Sequence, residues 1–113
     1  MKPHEPGSDG PTNLGKIDRL IHEPARLLIM SNLFVLDSAD FVFLTRQTGL
    51  TLGNLSSHMS KLEDAGYIEV EKTFVGKRPH NMLHLTEAGR TALLEYRETI
   101  AAVMEPKPDS VDG

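Results

Sequence analysis

Leu50-Thr51-Leu52-Gly53-Asn54-Leu55-Ser56-Ser57-His58-Met59-Ser60-Lys61-Leu62-Glu63-Asp64-Ala65-Gly66 is the stretch whose reading settles the rest of the chain. Its apolar residues Leu52, Leu55, Met59 and Leu62 step by three, four and three, the spacing that lays side chains along one stripe of an α-helix. Thr51 stands where an N-cap belongs and Gly66 where a C-terminal glycine stop belongs, so both ends are marked. With the stripe turned inward, the opposite side presents Gly53, Asn54, Ser57, Ser60 and Lys61, with Ser56 and His58 on its flanks. Ser, Asn and His are mediocre helix formers, and a merely solvated face is better served by Glu, Lys and Ala. Short side chains rich in donors and acceptors suit a helix that comes close to a groove of nucleic acid. A polar surface helix with no partner is the plain alternative.

Upstream, Asp37, Ser38 and Asp40 offer caps for a helix from Asp40 or Phe41 to Thr48, closed by Gly49. Phe41 to Gly66 thus reads as helix, tight turn, helix, the spacing in which a second helix enters the major groove while the first braces it. Helical hairpins also occur in proteins that bind no nucleic acid, so spacing alone does not decide. Pro24 is placed to start a further helix, and Ala25 to Leu36 is apolar on nearly all sides, which predicts a buried helix at the centre of the core. Before it, Asn13 caps an expected short helix from Leu14 to about His22, with Leu14, Ile17 and Ile21 on one face.

Downstream of Gly66 the period changes from helical to alternating. Ile68 and Val70 fall on one side and Glu69 and Glu71 on the other, and a second run passes through Met82, Leu83, His84 and Leu85, which predicts a β-hairpin. Gly76 supplies the turn, and Pro79, with no N–H for the ladder, belongs at an edge. Lys77 and Arg78 sit at the tip with Lys72 at the base. They are either an ordinary solvated turn or, beside a groove-entering helix, a cationic finger for phosphate or the minor groove. Thr86 caps a last helix with Glu87 in its first turn. Along it Leu93, Tyr96, Ile100 and Val103 step by three, four and three, a narrow seam of the kind one helix offers another. That seam outlasts what a three-helix core needs. A second subunit is therefore expected, contacted through Leu14, Ile17, Ile21, Leu93, Tyr96, Ile100 and Val103.

At 113 residues and 39% hydrophobic content the chain supports one modest domain. Its expected limits are 14–104, between a Pro- and Gly-dense arm over 1–13 and an acidic tail over 105–113. With no cysteine, disulfides and thiolate metal sites are excluded, which fits a reducing compartment. No apolar run nears the roughly 20 residues that cross a bilayer, and the start Met1-Lys2-Pro3-His4-Glu5-Pro6 has no hydrophobic signal segment. A soluble, cytoplasmic protein without a membrane partner is expected. The net charge of −4 argues at first against nucleic acid. Two cations and five anions, however, lie before Leu14 or after Met104, leaving ten cations and eleven anions between those residues. Local placement then decides.

An enzyme is the weakest reading: no carboxylate pair, nucleophile-elbow serine, Gly-rich phosphate loop or metal-ligand cluster stands at workable spacing. His22, His58, His80 and His84 show no paired ligand spacing, so neither a metal nor a cofactor is expected. His80 and His84 read as strand side chains. His58 either packs at the helix edge or faces DNA, Asn54 either bonds within the first turn or reads adenine, and Arg26 is either a structural partner or a DNA contact.

Pro24-Ala25-Arg26-Leu27, then Leu55 to Ile68, then Gly76-Lys77-Arg78-Pro79 and Leu85-Thr86-Glu87-Ala88-Gly89-Arg90 carry a resemblance. Over roughly Ile17 to Ile100 the chain resembles the small winged helix-turn-helix transcriptional regulators related to the MarR and ArsR groups. The resemblance implies an α+β fold with a three-helix core, a two-stranded wing hairpin and a long C-terminal dimerisation helix. It further implies a homodimer that binds pseudo-palindromic operator DNA, as a repressor, with an unknown small-molecule effector a further candidate for the dimer cleft. By the family pattern Asn54, Ser57, His58 and Lys61 face DNA from the recognition helix, and Arg78, beside Lys77, from the wing. The other reading kept open is a winged-helix module that binds protein and not DNA.

Overall fold

The computed structural model describes residues 14–105, so the expected arm over 1–13 and residues 106–113 of the expected tail lie outside the described residues. Helix α1 (Pro24–Val35) starts where Pro24 meets Glu23, whose carboxylate accepts the Arg26 N–H at 2.8 Å. Ile29, Met30 and Leu33 are fully buried at the centre of the core. The helix is not buried all round as its composition predicts. Leu28 is 40% and Val35 81% exposed, so one apolar side stays open within the monomer.

Helix α2 (Phe41–Thr48) is capped by Asp40, which accepts the Phe43 N–H at 2.7 Å, and is closed by Gly49 at φ 75°. Helix α3 (Leu52–Asp64) begins at Thr51, whose hydroxyl accepts the Asn54 N–H at 3.1 Å. It ends with Gly66 at φ 82°, Gly66 N–H bonded to the Glu63 carbonyl and Tyr67 N–H to the Leu62 carbonyl, both at 2.9 Å. These two bonds satisfy carbonyls that the last turn would leave bare, which is why a glycine stands there. Leu55, Met59 and Leu62 are buried on the inward stripe.

The hairpin comprises β2 (Ile68–Val75) and β3 (Arg78–Leu85), antiparallel with Ile68 opposite Leu85 and Val75 opposite Arg78. A two-residue strand, β1 (Ala39–Asp40), pairs Ala39 with Leu83 and Asp40 with Met82. The sheet thus has three strands in the order β1-β3-β2, one more than the sequence pattern reveals. Two residues are too few for alternation to register. Helix α4 (Glu87–Met104) is capped by Thr86, which accepts the Gly89 N–H at 3.0 Å.

The helix expected over Leu14 to His22 is a correction. Only Leu14–Lys16 forms a 3₁₀ turn, and the chain then turns through residues 17–23. The Asp18 carboxylate accepts the N–H groups of Leu20 and Ile21 at 2.9 and 3.2 Å, a local bond that competes with the helix ladder, and Gly15 costs about 1 kcal/mol relative to Ala in a helix interior. Tyr67 then donates its hydroxyl to the other oxygen of Asp18 at 2.6 Å. This segment seals the core from above, and Ile21 is fully buried beneath it.

The tightest backbone approach joins the ends of two elements. Thr86 N–H bonds the Tyr67 carbonyl at 3.0 Å, and Gly89 packs so closely that a Cβ there would stand 2.1 Å from the Tyr67 oxygen. Gly89→Ala must push α4 off β2. It is expected to lower stability by about 1–3 kcal/mol or more, beyond the ~1 kcal/mol expected for removing the Thr51 cap in Thr51→Ala; urea midpoints of the two variants test the order.

Burial, then the hydrogen bond to Asp18, pushes the Tyr67 phenol up from 10.0 to about 12. The unfolded chain loses that proton first as pH rises, so the contribution is complete below pH 10 and lost by about 12. Urea midpoints across that window should fall steeply for the wild type and less so for Tyr67→Phe.

Candidate nucleic-acid interface

Opposite the buried stripe of α3, Gly53, Asn54, Ser57, Ser60 and Lys61 are all exposed. No other part of the described chain lies over them as a lid. A helix with Gly, Asn and Ser on one side has little side-chain bulk there, so its backbone can come near whatever it meets. Lys61 carries the one positive charge of that side, and Glu63 and Asp64 follow it at the C-terminal end.

Leu52, expected on the buried stripe, is 59% exposed. It occupies the first helical position, where the Cα–Cβ bond tilts toward the N-terminus and carries the side chain past the end of the core. It therefore stands open at the N-terminal end of α3.

His58 is placed differently from its neighbours. Its Nδ1 lies 3.1 Å from Arg26 Nη1 and 3.8 Å from a Glu23 oxygen, and its side chain is 22% exposed. A guanidinium only donates, so Nδ1 accepts and the ring proton sits on Nε2. Arg26 also donates from Nε to the Leu20 carbonyl at 2.6 Å. The backbone N–H of Arg26, helped by the charge of its guanidinium, holds the Glu23 carboxyl below its usual range against burial. Arg26 is thus a strut between α1, the preceding loop and the middle of α3, and it turns one face of His58 inward. Sequence alone leaves both roles open, because only the packing of α1 on α3 brings residues 26 and 58 together.

The wing has two unlike faces, set by strand alternation. Ile68, Val70, Lys72 and Phe74 share one face with Leu85, Leu83, Asn81 and Pro79, whereas Glu69, Glu71, Thr73 and Val75 share the other with His84, Met82, His80 and Arg78. The acids therefore sit on the outer face near the base, where Glu69 meets His84 at 3.0 Å. His80 is likewise within 3.6 Å of Asp40. Lys72, Lys77 and Arg78 are exposed, and among the described residues the ion pairs present all involve histidine. A nearly neutral domain thereby keeps its wing cations clear of its wing acids.

The residues expected to contact a second subunit divide. Ile21 is fully buried, and Leu93 and Tyr96 are 9% and 8% exposed, all three within the chain's own core. Tyr96 is held there by a 2.8 Å hydrogen bond to His22 Nδ1. Ile21 leaves a partner nothing to cover, whereas Leu93 and Tyr96 show their remaining edges in the groove between α1 and α4. Ile17 and Ile100 are half-buried against the core, Val103 is 39% exposed, and the side chain of Leu14 lies outside the described residues. Between α1 and α4 an apolar groove of about 300 Å³ remains, lined by Leu27, Phe34, Val35, Leu94 and Ile100 with Arg97 at its rim. Arg90 closes one end by lying over the Phe34 ring at 5.0 Å.

Among the described residues no group of three or more His, Cys, Asp or Glu is placed to hold a metal ion, and no helix is long and apolar enough to cross a membrane. Residues 25–104 match the model of a winged helix DNA-binding domain. Over 78 residues the chain is 31% identical to an uncharacterized protein of Methanocaldococcus jannaschii, covering 69% of this chain and 85% of that one. The solved structure of a transcriptional regulator homologue from Pyrococcus horikoshii OT3 aligns with a TM-score of 0.72 at 28% identity, over 85% of this chain and 91% of that one. A regulator assigned to the MarR family of Enterococcus faecalis V583 shares the fold at a TM-score of 0.64 and 22% identity, over 83% and 84% of the two chains.

Arg26→Ala removes both bonds of the strut. A loss of about 1.5–3 kcal/mol per charged hydrogen bond is the upper range, and the variant should unfold at lower urea than wild type while Lys61→Ala, on the open side, should not.

Proposed function

The chain belongs to the winged helix DNA-binding domain family, and from that premise we propose that it is a transcriptional regulator that binds pseudo-palindromic operator DNA as a homodimer and represses. The observation that carries the reading is the open side of α3, which is exposed, lean and hydrogen-bonding, and is backed by a buried stripe that fixes its direction. In this reading α3 lies in the major groove. Asn54 and Ser57 read base edges, Lys61 and the Nε2–H of His58 take phosphate, and Leu52 is available to a thymine methyl. Lys77 and Arg78 anchor the wing on the neighbouring backbone. This division of labour puts affinity in the cations and sequence preference in the short polar side chains.

Two copies are supported by what the monomer leaves uncovered. The α1–α4 groove is apolar, and Val35 in its wall and Val103 and Met104 at the end of α4 are 81%, 39% and 74% exposed, apolar surface of the kind that can mark an interaction site. A two-fold pairing along this groove would set the two α3 helices for successive major grooves about 34 Å apart. A regulator of this kind performs no covalent chemistry, and no reaction is assigned to it.

Mobility shift with duplexes retained from a random pool tests the reading. Lys61→Ala and Arg78→Ala are each expected to weaken binding to all sequences and to lower the salt slope by about one. Asn54→Ala and Ser57→Ala should relax sequence preference by about 1–3 kcal/mol for each base-edge hydrogen-bond pair removed, with the slope unchanged. Retention of no duplex near 50 mM salt would turn the reading toward a protein-binding module. Light scattering gives the subunit count, and Leu94→Glu should return a dimer to monomers.

A further inference from the structure

Phe74 is 70% and Val75 62% exposed at the end of the wing. A turn needs no aromatic ring, and an exposed Phe is a liability for solubility. Its position is set by the ladder. The face that carries Ile68 and Val70 over the core continues outward with Lys72 and Phe74, opposite Asn81 and Pro79. Past Val70 the protein body ends and that face emerges, so Phe74 and Pro79 form an apolar pair on a free surface. No carboxylate shares the face, since Glu69 and Glu71 belong to the other side of β2. Lys72 lies on one flank of the pair and the turn with Lys77 on the other, while Arg78 belongs with Val75 to the opposite face.

We propose that Phe74 and Pro79 enter the minor groove of duplex DNA as an apolar wedge, between phosphates held by Lys72 and Lys77. The inference rests on the DNA-binding reading above and adds to it a contact that no cation supplies. A ring and a proline edge are narrow enough for a groove about 6 Å wide. Phe and Pro are among the side chains that part base steps there, and the flanking cations match the two phosphate rims, where negative potential is focused. Pro79 has a second part to play. Lacking an N–H, it leaves the β3 edge at the tip without a donor that would demand a partner, and its fixed φ stiffens the strand behind the ring. A protein partner would suit the two rings alone but not the cations on either side of them.

The test uses the full chain and the duplex that wild-type protein retains from a random pool, with hydroxyl-radical footprinting to locate the wing and 2-aminopurine at the step beneath it. Phe74→Ala is expected to weaken binding about 10- to 100-fold, the range for burying such a ring. Its salt slope should stay at the wild-type value, because no counterion is released by an apolar contact. Phe74→Leu should recover most of the affinity and Pro79→Ala should lose part of it. The 2-aminopurine should brighten with wild type and stay dark with Phe74→Ala, while both proteins melt at the same urea concentration. Wild-type affinity in Phe74→Ala, an affinity loss accompanied by a lower salt slope, or a variant that changes subunit count but not DNA affinity would each overturn the wedge while leaving the DNA-binding reading intact. A wild type that retains no duplex would remove that reading and the wedge with it.

Discussion

The backbone carbonyl of Tyr67 is the point at which the two working halves of the chain are joined. On its amino side the Tyr67 N–H closes α3 through Leu62, and on its carbonyl side the oxygen accepts the Thr86 N–H and presses against Gly89 of α4. The Thr86 hydroxyl, which caps α4, also donates to the Gly66 carbonyl. One dipeptide thus ends the helix whose lean side is open and seats the helix that leaves the apolar groove. The angle between those two surfaces follows from a contact that no side chain larger than hydrogen at residue 89 allows. This also explains why a threonine and a glycine stand three residues apart at the start of α4, with Thr86 serving two helix ends at once.

Around this joint the energetics divide in an ordinary way. Nine large side chains, among them Ile29, Leu33, Leu55 and Leu62, are fully buried, and truncating any one to Ala would cost on the order of 2–5 kcal/mol. Among the described residues no charged side chain is buried. Polar pairs at its edge fix direction: Arg26 to His58 aligns α1 with α3, Tyr67 to Asp18 holds the loop before α1, and His22 to Tyr96 ties that loop to α4. Three non-local bonds converge on residues 18–26, a stretch that includes the end of the helix expected over Leu14 to His22. They hold that segment against the core.

The charge pattern explains how a chain of net charge −4 supports a reading that needs cations. Strand alternation sends Glu69 and Glu71 to one face of the wing and Lys72 to the other, with Lys77 and Arg78 at the turn. The lean face of α3 adds Lys61 and adds little else that is charged until its last turn. A small number of cations in the right places does what a large basic excess does elsewhere, and two copies would double it.

The sequence by itself determined the local features. The caps at Asp40, Thr51 and Thr86, the stops at Gly49 and Gly66, the stripe Leu55-Met59-Leu62 and the hairpin with its turn at Gly76 all depend on residues a few positions apart, where spacing and propensity speak directly. From these the winged helix and its lean face were legible. Tertiary structure alone decided what depends on residues distant in sequence: β1 pairing at Leu83, Asp18 meeting Tyr67, Arg26 meeting His58, and the full burial of Ile21 in the chain's own core. Periodicity tells which side of an element is apolar. It does not tell how far the body of the protein reaches along that side, so Leu52 and Phe74 continue buried stripes in the pattern and stand in the open in space.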